Sequence, residues 1–321
     1  MVDEATLRRG LTATLEHTAL EGLGRLERGK VRDSYVGPNR RVIVVTDRLS
    51  AFDRVLTTLP FKGQVLNRAA AFWFDKTRDA VPNHVLDVPD PNAMVVTECR
   101  LIPVEMVVRA YLTGSTSTSI WVRYDHGDRI YCGHRLPGGL RKHQPLERPL
   151  VTPTTKAEAG RHDQLASREE LLAMGACDAR TFDEMTELAL TLFRLGHEHC
   201  AAQGLLLVDT KYEFGRTPEG QLVAIDEVHT PDSSRFWVAA TYEQRLQEGK
   251  DPDALDKEYV RRWYTQQGFR GDGEPPALPD EVRLEAARRY IDAFERITGT
   301  PFVPDLEEPA VRLRRNLARW R

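Results

Sequence analysis

The segment 205–214 most constrains what this chain can fold into. It begins with the apolar run 205–208 and continues with a charged residue at every second position, Asp209, Lys211 and Glu213. Residues two apart in a strand share one face, so these three charges project into one place. Burying them is costly unless they are paired or bind an ion. The segment therefore predicts a core strand that carries a polar site.

A second strand, 222–226, follows after a turn and ends at Asp226. If the hairpin turns on residues 219–220, Glu213 lies opposite Asp226; a four-residue loop places Lys211 there instead. In either register Asp226 shares the polar face. Two carboxylates and a lysine suit Mg²⁺ and a phosphate chain, because Mg²⁺ takes one or two carboxylates plus phosphate oxygens. A purely structural cluster of ion pairs is the alternative interpretation.

The overall composition excludes several classes of protein. The 321 residues carry 45 Lys and Arg against 48 Asp and Glu, a net charge of −3, so no basic excess indicates nucleic acid or a membrane surface. The four cysteines form no CxxC pair, which favours reduced thiols over disulfides or zinc. Residues 1–10 show no apolar signal core, and no apolar run approaches the roughly 18 residues of a membrane span. We expect a cytoplasmic protein and, without a heptad seam, a monomer.

The hydrophobic periodicities predict an α+β protein with two lobes, residues 1–104 and residues 105–321. Residues 29–37 and 41–46 form a predicted hairpin. The predicted helices cover a segment before residue 20 and residues 64–78, 183–203, 251–268 and 280–299, and further strands cover 94–97 and 104–109. Asp183 and Asp251 are the predicted N-caps of their helices. Residues 113–163, rich in Gly, Ser, Thr and Pro, are predicted to be irregular and either functional or disordered.

A glycine followed by alternating cations is a further candidate site. In the stretch 29–33, Lys30 and Arg32 follow Gly29 and are expected to share a strand face. Such a strand can lay its backbone and its cations over a triphosphate, although exposed cation pairs are also common on edge strands. The pattern is not a P-loop, since the Gly-x4-Gly-Lys-Ser/Thr sequence is absent.

A third candidate combines an arginine with hydroxyl groups. Arg109 precedes the cluster 113–116, which contains Ser115. Hydroxyls, backbone N–H groups and a guanidinium suit a monophosphate ester, and a plain Ser/Thr-rich loop is the alternative. Arg235, which follows Asp226 in the stretch 226–237, offers a second bidentate contact to a phosphate or carboxylate.

Six stretches, in order along the chain, resemble the SAICAR synthetase family, the phosphoribosylaminoimidazole-succinocarboxamide synthases. They are residues 29–35, 46–53, 108–115, 152–158, 208–215 and 225–237. The similarity extends from about residue 29 to residue 299, and residues 116–133 look like the plant-type branch. The resemblance implies a small antiparallel β lobe and a larger α+β lobe, in a kinase-like or ATP-grasp-like outline, with ATP in the cleft.

The resemblance also implies a reaction. ATP would phosphorylate the carboxylate of 4-carboxy-5-aminoimidazole ribotide (CAIR), and the amine of L-aspartate would displace phosphate to give the succinocarboxamide SAICAR. A carboxylate is a poor acyl donor, so activation is needed, and phosphoryl transfer depends mainly on positioning and on cations. ATP and Mg²⁺ are the implied cofactors, and the implied partners are small molecules.

Residue roles follow from the same resemblance. The residues that would contact ATP and the metal are Lys30 and Arg32 at the phosphates, Leu101 and Ile102 at adenine, Lys211 at the transferring phosphoryl group, and Glu213 and Asp226 as Mg²⁺ ligands. The residues that would contact the other substrates are Arg109, Ser115 and Arg235 at the ribotide phosphate, Asp209 as the residue that orients a substrate, Asp53 near the substrate carboxylate and the metal, and Lys156 in a closing loop.

Two other functions fit some of these features. A kinase-like phosphotransferase would share the two lobes, but it should carry a His-Arg-Asp catalytic loop, and that tripeptide is absent. A non-catalytic nucleotide-binding protein has no need to keep Lys211, Glu213, Asp226 and Arg235 together, and this chain has all four. Dependence of ADP release on aspartate distinguishes these functions.

Overall fold

The first third of the chain forms an antiparallel sheet. The computed structural model describes residues 2–52, 54–156, 163–255 and 258–321. The strands of this part are β1 (Arg25–Arg28), β2 (Arg32–Val36), β3 (Arg40–Val45), β4 (Arg48–Ala51), β5 (Arg54–Thr58), β6 (Val85–Asp90) and β7 (Ala93–Thr97). Five of them pair in the order β1-β2-β3-β7-β6, and β4 pairs with β5. The predicted hairpin is confirmed as β2 and β3.

The polar strand predicted at 205–214 lies at the centre of a second antiparallel sheet. The remaining strands are β8 (Arg100–Tyr111), β9 (Ile130–Tyr131), β10 (His134–Arg135), β11 (Pro145–Val151), β12 (Thr154–Thr155), β13 (Leu205–Arg216), β14 (Leu222–Ile225) and β15 (Ser234–Val238). The sheet order is β11-β8-β13-β14, with β12 on β8 and β15 on β13. Strand β13 has partners on both edges and packs against a helix (Ala179–Ala202), and its residues Leu205, Leu207 and Val208 are buried.

Helices cover both sheets. They are α1 (Glu4–Leu11), α2 (Lys62–Thr77), α3 (Ile120–Asp125), α4 (Arg168–Ala173), α5 (Ala179–Ala202), α6 (Ala239–Gln247), α7 (Glu258–Gln266), α8 (Asp280–Thr298) and α9 (Pro309–Asn316). The amphipathic helices α2 and α8 pack together, and Trp73 and Phe294 join one large core cluster. The first helix ends at Leu11, well before residue 20, and the chain then buries Leu15 and Leu20 against the first sheet.

The α+β class is confirmed by these two sheets and their helices. Strand β8 crosses the predicted lobe boundary at residue 104, and α9 returns to the first sheet, where Arg312 Nε contacts Asp90 Oδ2 at 3.1 Å. The division at 104 stays a prediction. Within the described ranges, no helix is both long enough and apolar enough to cross a membrane.

The predicted start of the long helix α5 is wrong by one turn. Its N-cap is Asp178, whose carboxylate accepts from the backbone N–H of Thr181 at 2.8 Å. The predicted cap, Asp183, lies inside the helix and pairs with Arg168 at 2.8 Å. Both aspartates precede apolar positions at helical spacing, so the sequence pattern alone does not distinguish them.

The stretch 113–163 is more regular than predicted, because it contains α3 and the strands β9 to β12. Residues of this stretch also bind Asp251, the second N-cap that was predicted wrongly. Asp251 lies before α7, which begins at Glu258, and accepts from Lys142 Nζ at 2.9 Å and His143 Nε2 at 2.7 Å. These two partners lie in the stretch predicted to be irregular, so Asp251 joins distant segments.

Candidate active site

The polar face of β13 forms a dense cluster of opposite charges. Lys211 Nζ donates to Glu105 Oε1 of β8 at 2.6 Å and to Glu213 Oε1 at 3.0 Å. Glu213 also accepts from Lys156 Nζ. Burial would lower the pKa of Lys211, but the two carboxylates outweigh burial and raise it above its ordinary value. The ammonium group therefore stays charged in a half-enclosed site.

Asp226 reaches this cluster by a route that neither predicted register describes. Glu213 pairs with Ile225, so both registers were wrong by one residue. Asp226 lies just beyond β14 with φ +68°, in the left-handed region, and this turns it out of the strand alternation. Burial raises its pKa, but Arg32 and Lys211 outweigh burial and lower it below the ordinary value. The carboxylate is therefore held in its charged form.

Arg32 connects the first sheet to this cluster. Its guanidinium bonds Asp226, and its Nη2 lies 2.6 Å from Glu227 Oε1. Burial would lower the pKa of Arg32, but Asp226 and Glu227 raise it. Lys30 was expected to share a strand face with Arg32. This expectation is wrong, because Lys30 is an exposed residue in the turn before β2.

A first cavity of about 180 Å³ opens beside the charge cluster. Its lining includes Leu101 together with Lys156, Glu213 and Asp226. The side chain of Leu101 is 41% exposed, whereas Ile102 is 7% exposed and belongs to the core. The two residues predicted at adenine therefore differ: Leu101 lines the cavity, whereas the side chain of Ile102 packs in the core.

A second cavity of about 230 Å³ lies at the other end of β13. Ser115 and Arg235 both line it. Asp209 Oδ2 accepts from Arg235 Nη1 at 2.7 Å and lies 3.4 Å from Arg109 Nη1, while Arg109 Nε donates to Thr152 Oγ1 at 3.0 Å. Asp209 thus sits between two arginines and fixes both guanidinium groups.

The candidate metal ligands do not form a complete cage. Within the residues that the structure describes, no group of three His, Cys, Asp or Glu side chains is placed to hold a metal ion. Glu213 and Asp226 nevertheless line one cavity. Such a pair fits Mg²⁺, which usually keeps waters and uses one or two carboxylates plus substrate phosphates. Asp53, also predicted near the metal, lies outside the described residues.

Similarity to known proteins shows the family to which this chain belongs. The family model described as SAICAR synthetase matches residues 25–276. The chain belongs to the SAICAR synthetase family. As a member, it is a ligase enzyme, and the predicted resemblance is confirmed.

Similar proteins extend over almost the whole chain. A putative phosphoribosylaminoimidazole-succinocarboxamide synthase 2 of Mesorhizobium japonicum is 47% identical over 310 residues, which are 96% of this chain and 99% of that protein. A chloroplastic phosphoribosylaminoimidazole-succinocarboxamide synthase of Arabidopsis thaliana is 44% identical over 318 residues, covering 97% of this chain and 77% of that protein. The Saccharomyces cerevisiae SAICAR synthase complexed with SAICAR matches with a TM-score of 0.78 at 30% identity, over 90% of this chain and 100% of that one. These matches confirm the predicted fold and the likeness to plant members.

The fold brings together residues that the sequence patterns did not indicate. Glu105, the partner of Lys211, was visible only as one charge inside an apolar strand. The second cavity is also lined by Lys142, His143, Asp251 and Arg262. Hydrogen bonds from Lys142 and His143 lower the pKa of Asp251 to about 2. No local pattern joins these residues, since their contacts depend on the tertiary fold.

The loop between Asp226 and Arg235 is anchored by His229. The imidazole is fully buried, Tyr212 Oη lies 2.5 Å from its Nε2, and the Trp73 ring packs on it at 4.6 Å between centroids. His229 is therefore a packed loop histidine, which agrees with its omission from the predicted catalytic residues.

We expect Gly196→Ala in α5 to destabilise the protein by about 2 kcal/mol. A Cβ at this position would lie 2.3 Å from Cε1 of His229, so the ring and its loop must move. Helix propensity alone predicts the opposite sign, a gain of about 1 kcal/mol. Urea unfolding measures the difference, and a Gly196→Ala variant as stable as the parent would contradict this packing.

We also expect stability to rise with pH between pH 4.5 and 6.5. Burial lowers the pKa values of His84 and His229 to about 3, so the unfolded chain, with ordinary histidine pKa values, binds more protons in this range. Each histidine contributes up to about 1.4 kcal/mol per pH unit. Burial raises the pKa of Asp47 to about 6 and opposes this in part. Urea midpoints across this range should rise less steeply in His229→Gln; an equal slope in both proteins would contradict the assignment.

Proposed function

We propose that this chain joins L-aspartate to CAIR, using ATP and an acyl phosphate, and releases SAICAR, ADP and phosphate. The observation that carries the proposal is the charge cluster of Arg32, Lys156, Lys211, Glu213 and Asp226, which lies beside a cavity. Cations and carboxylates in one place suit a polyphosphate with its metal. Relatives named for the same synthase support the acceptor.

In the proposed complex, adenine lies beside Leu101 and the backbone of Ile102, and the phosphates extend toward Arg32 and Lys30. Lys211 neutralises charge on the phosphoryl group as it moves to the carboxylate of CAIR, and Lys156 closes over it. Glu213 and Asp226 would hold Mg²⁺, which supplies charge neutralisation at the phosphate oxygens. Their present contacts with Lys156 and Arg32 keep both carboxylates in place.

The second cavity suits the ribotide phosphate. Arg235 and Ser115 line it, and Arg109 is held through Asp209 and Thr152. A guanidinium fork and a hydroxyl match the geometry of a phosphate monoester. We propose that Asp209 orients both arginines and faces the incoming aspartate amine, and that Asp53 approaches the CAIR carboxylate.

The test is ADP release from MgATP and CAIR, measured with and without L-aspartate. Release that needs both substrates, together with detection of SAICAR, is the expected result. Release without aspartate, or transfer to a hydroxyl acceptor, would refute the proposed reaction and favour a kinase-like phosphotransferase. A cytoplasmic location, a monomeric state and the absence of nucleic-acid or membrane partners stay predictions, and sedimentation measures the oligomeric state.

A further inference from the structure

Arg48, at the start of β4, is a buried cation outside the site just described. Only 3% of the residue is exposed. Its guanidinium donates from Nη2 to the carbonyl oxygen of Gly29 at 3.0 Å and from Nε to that of Lys30 at 3.0 Å. Nη2 also lies 2.8 Å from Oδ1 of Asp33, which is fully buried. All three acceptors belong to the turn that joins β1 to β2 or lie directly beside it.

The same pair fastens this turn to the N-terminal segment. Arg48 Nη1 bonds the carbonyl of Glu16, and Asp33 Oδ2 accepts from the backbone N–H of Thr18 at 2.8 Å and from its hydroxyl at 2.9 Å. Residues 16–18 precede residue 25, where the match to the family model begins. This N-terminal segment thus supports the tip of a hairpin in the first sheet.

These contacts fix the direction of the turn. Carbonyl groups at a hairpin tip are usually solvated, but here two consecutive carbonyls point at one guanidinium. A trans peptide directs its C=O and N–H to opposite sides, so the N–H groups of Lys30 and Val31 point away from Arg48. Arg32 and Asp33 alternate along β2, and Asp33 faces Arg48, so Arg32 faces the carboxylates of the second sheet.

We propose that Arg48 is a positioning residue for ATP. It does not contact the nucleotide; it holds the turn 29–32 in the conformation from which Lys30 and Arg32 meet the phosphates. This inference rests on the proposed function, since those contacts are part of it. Arg48 acts through its hydrogen bonds to the carbonyl groups of Gly29 and Lys30, and not through its charge.

The variant Arg48→Lys tests that distinction. Lysine keeps a cation beside Asp33 but lacks the planar fork that reaches Gly29 and Lys30 together. We expect the Kd for ADP and the KM for ATP to rise about tenfold, as for the loss of one hydrogen bond to a charged group. The KM for aspartate should stay unchanged, because aspartate does not contact this turn in the proposed complex.

Arg312→Lys is the matched control. Arg312 and Asp90 form another fully buried pair at the first sheet, with Arg312 Nη2 near Asn92. Its replacement should cost comparable stability, seen as a lower Tm, and leave the Kd for ADP unchanged. Equal Kd values in parent, Arg48→Lys and Arg312→Lys, each measured well below its Tm, would overturn the proposal.

A double variant and a binding assay keep the test decisive. If Arg48→Lys does not fold, Arg48→Met with Asp33→Asn removes both buried charges and should again weaken ADP binding about tenfold; unchanged binding would overturn the proposal. Calorimetric titration with ADP needs neither CAIR nor aspartate. A parent that binds ADP but makes no SAICAR would refute the ligase while the variants still decide the role of Arg48, and a parent that binds no ADP would overturn both.

Discussion

Asp226→Asn is expected to lower kcat about a thousandfold and leave the fold intact. The amide keeps the shape of the side chain and its acceptor oxygen for Arg32, but it removes the charge that the proposed metal requires. The KM for ATP should change little, because Arg32, Lys156 and Lys211 still attract the phosphates. ADP release with saturating CAIR and aspartate measures kcat, and circular dichroism with Tm checks the fold.

Glu219→Gln is the control for this prediction. Glu219 lies in the exposed turn between β13 and β14, so its variant alters a carboxylate of the same hairpin away from the cluster. Its kcat should equal that of the parent. If the Asp226→Asn enzyme keeps more than a tenth of the parental kcat, Asp226 is not a metal ligand. The cluster is then best interpreted as structural ion pairs.

The sequence predicted the strands of the site because their patterns are local. Charges at Asp209, Lys211 and Glu213 follow an apolar run, and this pattern is sufficient to predict a buried strand with a polar face. Alternation likewise predicted the β2–β3 hairpin. Where a prediction depended on one residue it was wrong, because both predicted N-caps, Asp183 and Asp251, instead form ion pairs that only the tertiary fold creates.

The position of Asp226 shows what local reasoning missed. Strand alternation predicts the face on which Asp226 lies only if Asp226 belongs to the strand. The backbone of Asp226 is in the left-handed region, so the alternation does not apply to it. The same holds for the wall of the second cavity, where Lys142 and Arg262 come together from segments more than a hundred residues apart. Burial by tertiary contacts also determines the role of Arg48, which lies in one of the stretches that resemble the family but whose partners the sequence does not indicate.

Lys211→Met is expected to lower kcat/KM for ATP by about a hundredfold to a thousandfold. Methionine fills similar space but carries no charge to stabilise the moving phosphoryl group. It also leaves Glu105 without its ammonium partner, and burial already raises the pKa of Glu105. We expect that pKa to rise further and the variant to lose stability, as for a broken buried pair. ADP release and urea unfolding measure the two effects separately.

The double variant Glu105→Gln with Lys211→Met separates catalysis from charge balance. Removing both charges abolishes the uncompensated carboxylate, so stability should recover toward that of the parent. Activity should stay as low as in Lys211→Met, because the cation is still missing from the phosphoryl group. If activity recovers together with stability, Lys211 acts by neutralising Glu105, and the charge on the phosphoryl group must be met by Lys156 or Arg32 instead.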